Sequence, residues 1–149
     1  MKALVVYDSL YGNTEQIAKA IGGGIGVEVK VVRVGEATPA ELGSYDLVII
    51  GSPTQGGRHT PATKAFLDKI PAEALKNKKV AAFDTRGKTW FVKIFGWAAT
   101  RIAEALKDKG GNLVAPGEGF FVKATKGPLV DGELERAAAW AKSIAGSQK

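Results

Sequence analysis

The chain has 149 residues and a mass of 15.6 kDa, which suits one domain, because two would each be too small for an ordinary core. Apolar residues make up 45% and charged residues 24%, a globular balance that argues against disorder. The absence of cysteine excludes a disulfide framework, thiolate catalysis, iron–sulfur ligation and a thiolate zinc site. The single histidine argues against a histidine-rich metal site. No apolar run nears the ~20 residues of a membrane span. The opening run from Met1 to Tyr7 meets Asp8 too early for a signal peptide and reads as a strand, so a soluble cytoplasmic protein is expected. The net charge of +6 is spread along the chain, as for a solvated surface or a surface that selects acidic partners.

In chain order, Ala3–Tyr7 is the first apolar run, and it is continuous rather than alternating. Such runs, repeated at Leu47–Ile50 and Val80–Phe83, suit strands covered on both faces of a parallel sheet. Ile17, Ala20, Ile21 and Gly24 share one helical face after Asn13, and Gly22-Gly23-Gly24 reads as the stop of that helix. Val27–Val34 is β-branched and partly alternating, as in an edge strand. Thr38-Pro39-Ala40-Glu41 carries the signals of a helix start: a cap, a first-turn proline and a returning carboxylate. Thr60-Pro61 opens another helix, with Ala62, Phe66, Lys69 and Ile70 along it. Ala98, Ile102, Ala105 and Leu106 mark the next helix, which Gly110-Gly111 ends. A fifth strand is spread over Leu113–Val114 and Phe120–Val122, interrupted by Pro116-Gly117-Glu118-Gly119. Leu134, Ala137, Ala138, Ala141 and Ile144 form the last helical stripe. Alternating β and α elements with right-handed crossovers predict an α/β fold: a doubly wound, five-stranded parallel sheet in the order 2-1-3-4-5.

Such sheets bind ligands beyond the carboxyl ends of their strands, where the winding reverses. Here that lies between the first and third strands. The segments leaving them are Asp8 to Thr14 and Gly51 to His59, both polar and glycine-containing. The first runs straight into a helix, so free N–H groups and the positive helix end make it an anion site. No Lys or Arg lies between residues 9 and 14, so neutral dipoles would solvate the anion. The Walker glycine-lysine pair is missing, and one glycine stands where the dinucleotide fingerprint needs three.

These residues resemble the flavodoxin family. Ser9-Leu10-Tyr11-Gly12-Asn13-Thr14 is similar to its FMN-phosphate loop, and Gly51-Ser52-Pro53-Thr54 to the loop that runs along the isoalloxazine ring. Asp84-Thr85-Arg86-Gly87 sits where a third loop covers the other side of the ring. The resemblance spans almost the whole chain and implies a flavodoxin-like fold. It also implies non-covalent FMN and electron transfer among oxidised, semiquinone and hydroquinone flavin. By position, Ser9, Leu10, Tyr11, Gly12, Asn13 and Thr14 would hold the phosphate. Ser52, Pro53, Thr54, Gln55, Gly56 and Gly57 would contact the ring, together with Asp84, Thr85, Arg86 and Gly87. Tyr11 replaces a common threonine, removing a small donor.

The Gly56-Gly57 peptide could turn its carbonyl toward flavin N5 at little steric cost. Arg58, Arg86 and Lys88 lie on or beside the ring loops. Flavodoxins are typically acidic; positive charge here predicts a less negative hydroquinone potential. Trp90 either stacks on the outer ring face or packs on the fold, and His59 reads as a ring contact or a surface residue. Phe91, Ile94, Phe95 and Trp97, beside Lys88 and Lys93, form either a buried helix start or an apolar-basic rim for a redox protein, a quinone or a membrane. The turn at Gly127-Pro128-Leu129 resembles uncharacterised flavodoxin-like proteins. The partners implied are redox proteins with acidic surfaces rather than nucleic acid, for a monomer or weak dimer. The alternative is a small FMN-dependent NAD(P)H or quinone oxidoreductase.

Overall fold

A computed structural model describes residues 2–26, 28–55, 58–87 and 97–146. The first strand, β1 (Ala3–Tyr7), is followed by helix α1 (Asn13–Ile25) and strand β2 (Val29–Arg33). After two short 3₁₀ segments come β3 (Leu47–Pro53), α2 (Pro61–Asp68) and β4 (Lys79–Gly87). Helix α3 (Ala98–Asp108), strands β5 (Asn112–Leu113) and β6 (Glu118–Val122), and helix α4 (Glu133–Gly146) complete the order. The strands are parallel in the order β2-β1-β3-β4-β5, with β6 also paired to β4. This is the doubly wound flavodoxin-like sheet expected from the sequence.

The continuous apolar runs are explained by two cores, one on each side of the sheet. Leu4, Val6, Val48, Ile50, Val80 and Ala82 face a core closed by Phe66 and Leu67 of α2 and Ile102 and Leu106 of α3. Ala3, Val5, Leu47, Ile49, Ala81 and Phe83 face the other, closed by Ile17 and Ile21 of α1 and Ala137, Ala141 and Ile144 of α4. Both sides are dry, so neither set of alternating positions can be polar. Phe83, Phe120 and Trp140 meet edge to face within the second core, a geometry set by the ring quadrupoles.

Several boundaries differ from the sequence expectation. Helix α1 runs through Gly22-Gly23-Gly24 and stops at Gly26, whose φ of 79° is left-handed. The earlier glycines serve close approach instead: a Cβ on Gly24 would strike the Ala138 backbone, and one on Gly22 would lie 2.6 Å from Val31. The segment expected as a helix at Thr38 is a 3₁₀ turn, Pro39–Ser44, with the anticipated capping box formed. Ala62 and Leu134 turn outward; Thr63 and Glu133 are buried in their helices instead.

The break in the last strand falls at 114–117, and Glu118 and Gly119 join the ladder opposite Phe83 and Asp84. β5 pairs with the start of β4 and β6 with its end, so the two pieces share one edge position. β3 and β4 also continue past their apolar residues, through Ser52↔Asp84 and Pro53↔Thr85. Polar side chains there mislead a boundary drawn from hydrophobicity, because the backbone ladder does not depend on them.

Gly24 and its neighbour Gly23 offer a direct test of this packing. Gly24→Ala is expected to destabilise the protein by about 1–3 kcal/mol, since a methyl must displace backbone. Gly23→Ala meets nothing within 4 Å and is expected to stabilise by about 0.5–1 kcal/mol through helix propensity. Urea midpoints of the two variants should therefore move in opposite directions.

Candidate functional site

Parallel pairing sets Tyr7 beside Gly51, and Asp8 N–H extends the ladder to Gly51 O at 3.1 Å. From there the chains leave β1 and β3 on opposite sides, which opens a crevice. The cavity at this mouth has a volume of about 630 Å³. One wall is the first loop, through Ser9, Leu10, Tyr11, Asn13 and Thr14. A second is Pro53 and Thr54, and a third is Thr85, Arg86 and Gly87. Part of the sequence-predicted set is thus brought together in one place.

The first loop is drawn tight by its own groups. Gly12, with φ of 92°, takes the cap position of α1 in the left-handed region and supplies no side-chain cap. A residue with a Cβ is strained there. Ser9 Oγ substitutes by accepting the N–H groups of Gly12 (3.0 Å) and Glu15 (3.4 Å), which leaves its own proton free to donate. Arg33 holds the loop from β2, donating to Ser9 O and to Glu15, both at 3.0 Å. Asp8 ties the first loop to the second. Its carboxylate accepts Ser9 N–H at 2.9 Å and the Thr60 hydroxyl at 2.5 Å. Thr60 caps α2 and donates its N–H to Ser52 Oγ at 3.0 Å.

Several polar groups at this mouth lack protein partners. Among the described residues, the N–H groups of Leu10, Tyr11, Asn13 and Thr14 reach no protein acceptor. The Asn13 side chain is likewise unpartnered, although the residue is only 7% exposed. A buried amide without a partner is costly, and this one lines the cavity at the positive end of a helix. Thr14 Oγ1 meets Thr85 Oγ1 at 2.8 Å, so the first and third walls are bonded to each other. The cluster fits an anion solvated by neutral donors.

Other expected contacts stand back from the cavity. Ser52 is fully buried and bonds Thr60 and Pro53, supporting the second wall from beneath. Gln55 pairs with Arg58, N to O at 2.8 and 3.0 Å. Gly56-Gly57 lies outside the described residues, as do Lys88, Trp90 and the stretch from Phe91 to Gly96. Asp84 is fully buried. It accepts Ala99 N–H at 2.9 Å and both arms of Arg86, each at 2.7 Å.

The Arg86 guanidinium sits over Trp97, 3.7 Å from the ring centroid. The guanidinium expected to bring positive charge to the ring loops is therefore neutralised by Asp84. It also fills the space where a Cβ on Gly119 would stand. Trp97, half-buried, starts α3 and is stacked by Arg86. His59 is half-buried and does not line the cavity.

Sequence reasoning missed a fourth wall made by Val122, Lys123, Ala124, Thr125 and Val130. After β6 the chain turns back on itself, with Lys123 N–H to Pro128 O at 2.8 Å and Val130 N–H to Phe121 O at 2.9 Å. The glycine-proline pair marks a turn, but only the tertiary fold lays it against Asn13. Asp8 and Thr60 were also missed as site residues; the available signal was an acidic residue directly at a strand end.

The fold and mouth together define a doubly wound α/β protein with a preformed cavity, lined by unpartnered donors, at its switch point. The family model for flavodoxins matches residues 5–140, and the chain belongs to the flavodoxin family. It is 33% identical over 115 residues to an uncharacterised protein of Methanocaldococcus jannaschii, covering 76% of this chain and 71% of that one. Among solved structures it is similar to a flavodoxin from the domain Archaea, with 28% identity, a TM-score of 0.83 and full coverage of both chains. It is also similar to oxidised flavodoxin 2 of Bacillus cereus, with 28% identity, a TM-score of 0.83 and coverage of 98% and 99%.

Burial, and then the charges of Arg101 and Lys64, hold the pKa of His59 below its ordinary 6.5. The unfolded chain therefore takes the proton more readily. The neutral ring's contribution to stability is complete above pH 6.5 and declines as pH falls through the unfolded value toward the folded one. With a single histidine, an NMR titration should place the midpoint below 6.5, and His59→Gln should remove this part of the stability slope.

Proposed function

We propose that this protein is a non-covalent FMN carrier that exchanges electrons with partner proteins. The observation that carries this reading is the set of unpartnered donors at the start of α1: backbone N–H groups and the buried Asn13 amide, turned to one cavity. FMN, when bound, supplies the redox chemistry, and the protein supplies binding and orientation. The N–H groups of Leu10, Tyr11, Asn13 and Thr14 would take the phosphate oxygens, with Ser9 Oγ and Asn13 donating from the side. Pro53-Thr54 and Thr85-Arg86-Gly87 would flank the ring, at positions bonded to each other by Thr54 N–H to Thr85 O at 2.9 Å.

The charge pattern supports partners with acidic surfaces, since the net charge is +6 and the buried Arg86–Asp84 pair contributes nothing to it. Arg58, exposed in the second loop, keeps a cation near the mouth. No helix among the described residues is long and apolar enough to cross a membrane.

Purified protein should be yellow and should release FMN on heating. Asn13→Ala should weaken FMN by about 10- to 100-fold, the cost of a hydrogen bond to a charged group at about 1.5–3 kcal/mol. Riboflavin, which lacks the phosphate, should bind wild type and variant alike in flavin-fluorescence titrations. Sustained NAD(P)H or quinone turnover by the protein alone would overturn the carrier role.

A further inference from the structure

The turn after β6 lies against the anion site with more than apolar contact. Thr125 lines the cavity. Gly127, with φ of 100°, sits so close to Asn13 that a Cβ there would come within 2.5 Å of Asn13 Oδ1. Between them, Lys126 places its ammonium 5.9 Å from the centre of the Tyr11 ring. Tyr11 is 50% exposed, and its N–H is one of the unpartnered donors. Lys123, which also lines the cavity, stands 3.8 Å from the exposed Asp131. Lys126 has no carboxylate within ion-pair distance among the described residues.

The turn is held firmly at both ends. Glu133 accepts Phe121 N–H at 2.7 Å. Arg136 joins Glu133, Glu118 and the Gly119 carbonyl at 2.5–2.8 Å. The end of β6 and the start of α4 are thereby fixed, and the turn between them cannot drift far from the first loop.

We infer that the turn from Ala124 to Gly127 is a further part of the phosphate site, with Lys126 supplying the formal positive charge that the first loop lacks. This rests on the FMN reading above. The backbone donors fix where the phosphate sits. Lys126, leaning over Tyr11 at the solvent edge, offsets part of the dianion's charge. Gly127 keeps the turn close enough for this by leaving room for the Asn13 amide. The specificity consequence is a preference for the phosphorylated flavin that depends on ionic strength.

The test titrates apoprotein with FMN and with riboflavin at low and high salt. Lys126→Gln should weaken FMN about 5- to 10-fold at low salt, the order expected of one partly solvated charge pair, and the gap should close at high salt. Riboflavin affinity should not change, and Lys126→Arg should retain most of the FMN affinity. Lys107→Gln is the control: it removes the same charge from the last turn of α3, near the opposite ends of the strands, and should leave the preference intact. The inference is overturned if Lys126→Gln binds FMN as wild type does at low salt, or loses riboflavin equally. Failure of wild type to bind FMN at all would instead overturn the cofactor reading, and this inference with it. Amide shifts of residues 10–14 on titration with inorganic phosphate give a flavin-free readout. Their midpoint should move to higher phosphate in Lys126→Gln, and an unchanged midpoint counts against the role of Lys126.

Discussion

The site depends on the parallel ladder between β1 and β3. It fixes Tyr7 beside Gly51, and so starts two loops side by side that must then leave in opposite directions. Everything at the mouth follows from that start. Asp8 can bridge Ser9 and Thr60 only because the ladder delivers both loops within one carboxylate's reach. Gly51 is part of the same constraint, since a Cβ there would run into the Phe83 ring. A small residue at the ladder's end lets an aromatic core side chain approach directly beneath the site.

The electrostatics separate the interior of the site from its rim. In the first loop the donors are neutral: backbone N–H groups, an amide and hydroxyls. The one buried carboxylate next to the cavity, Asp84, is matched by Arg86 and by Ala99 N–H, so that pair adds rigidity without net charge. A buried ion pair of this kind is expensive to break, because either partner alone would be stranded. Formal charge is left to solvated positions such as Arg58 and Lys126, where salt can screen it.

The β6 edge shows how distant sequence segments finish the site. Arg136 on α4 lies 4.5 Å from the Phe120 ring centroid and bonds Glu118, Gly119 and Glu133. That knot anchors the returning turn which becomes the fourth wall. None of its members touches the cavity, yet the position of Thr125 and Gly127 beside Asn13 depends on them. Helix α1 is likewise held close to α4 by Gly24, which has no side chain to keep Ala138 away.

The sequence by itself determined the doubly wound sheet and the polar loops that meet at its switch point. Continuous apolar runs demand two covered faces, and a polar, glycine-bearing segment between a buried strand and a helix leaves N–H groups without partners. It also marked the capping box at Thr38 and the first, second and third walls. Only the tertiary structure decided that Gly22-Gly23-Gly24 continues a helix, that Arg86 is spent on Asp84, and that the turn from Lys123 to Val130 faces Asn13. Those outcomes rest on contacts between segments far apart in the chain, where geometry rather than local pattern selects which charges pair and which glycines must be small.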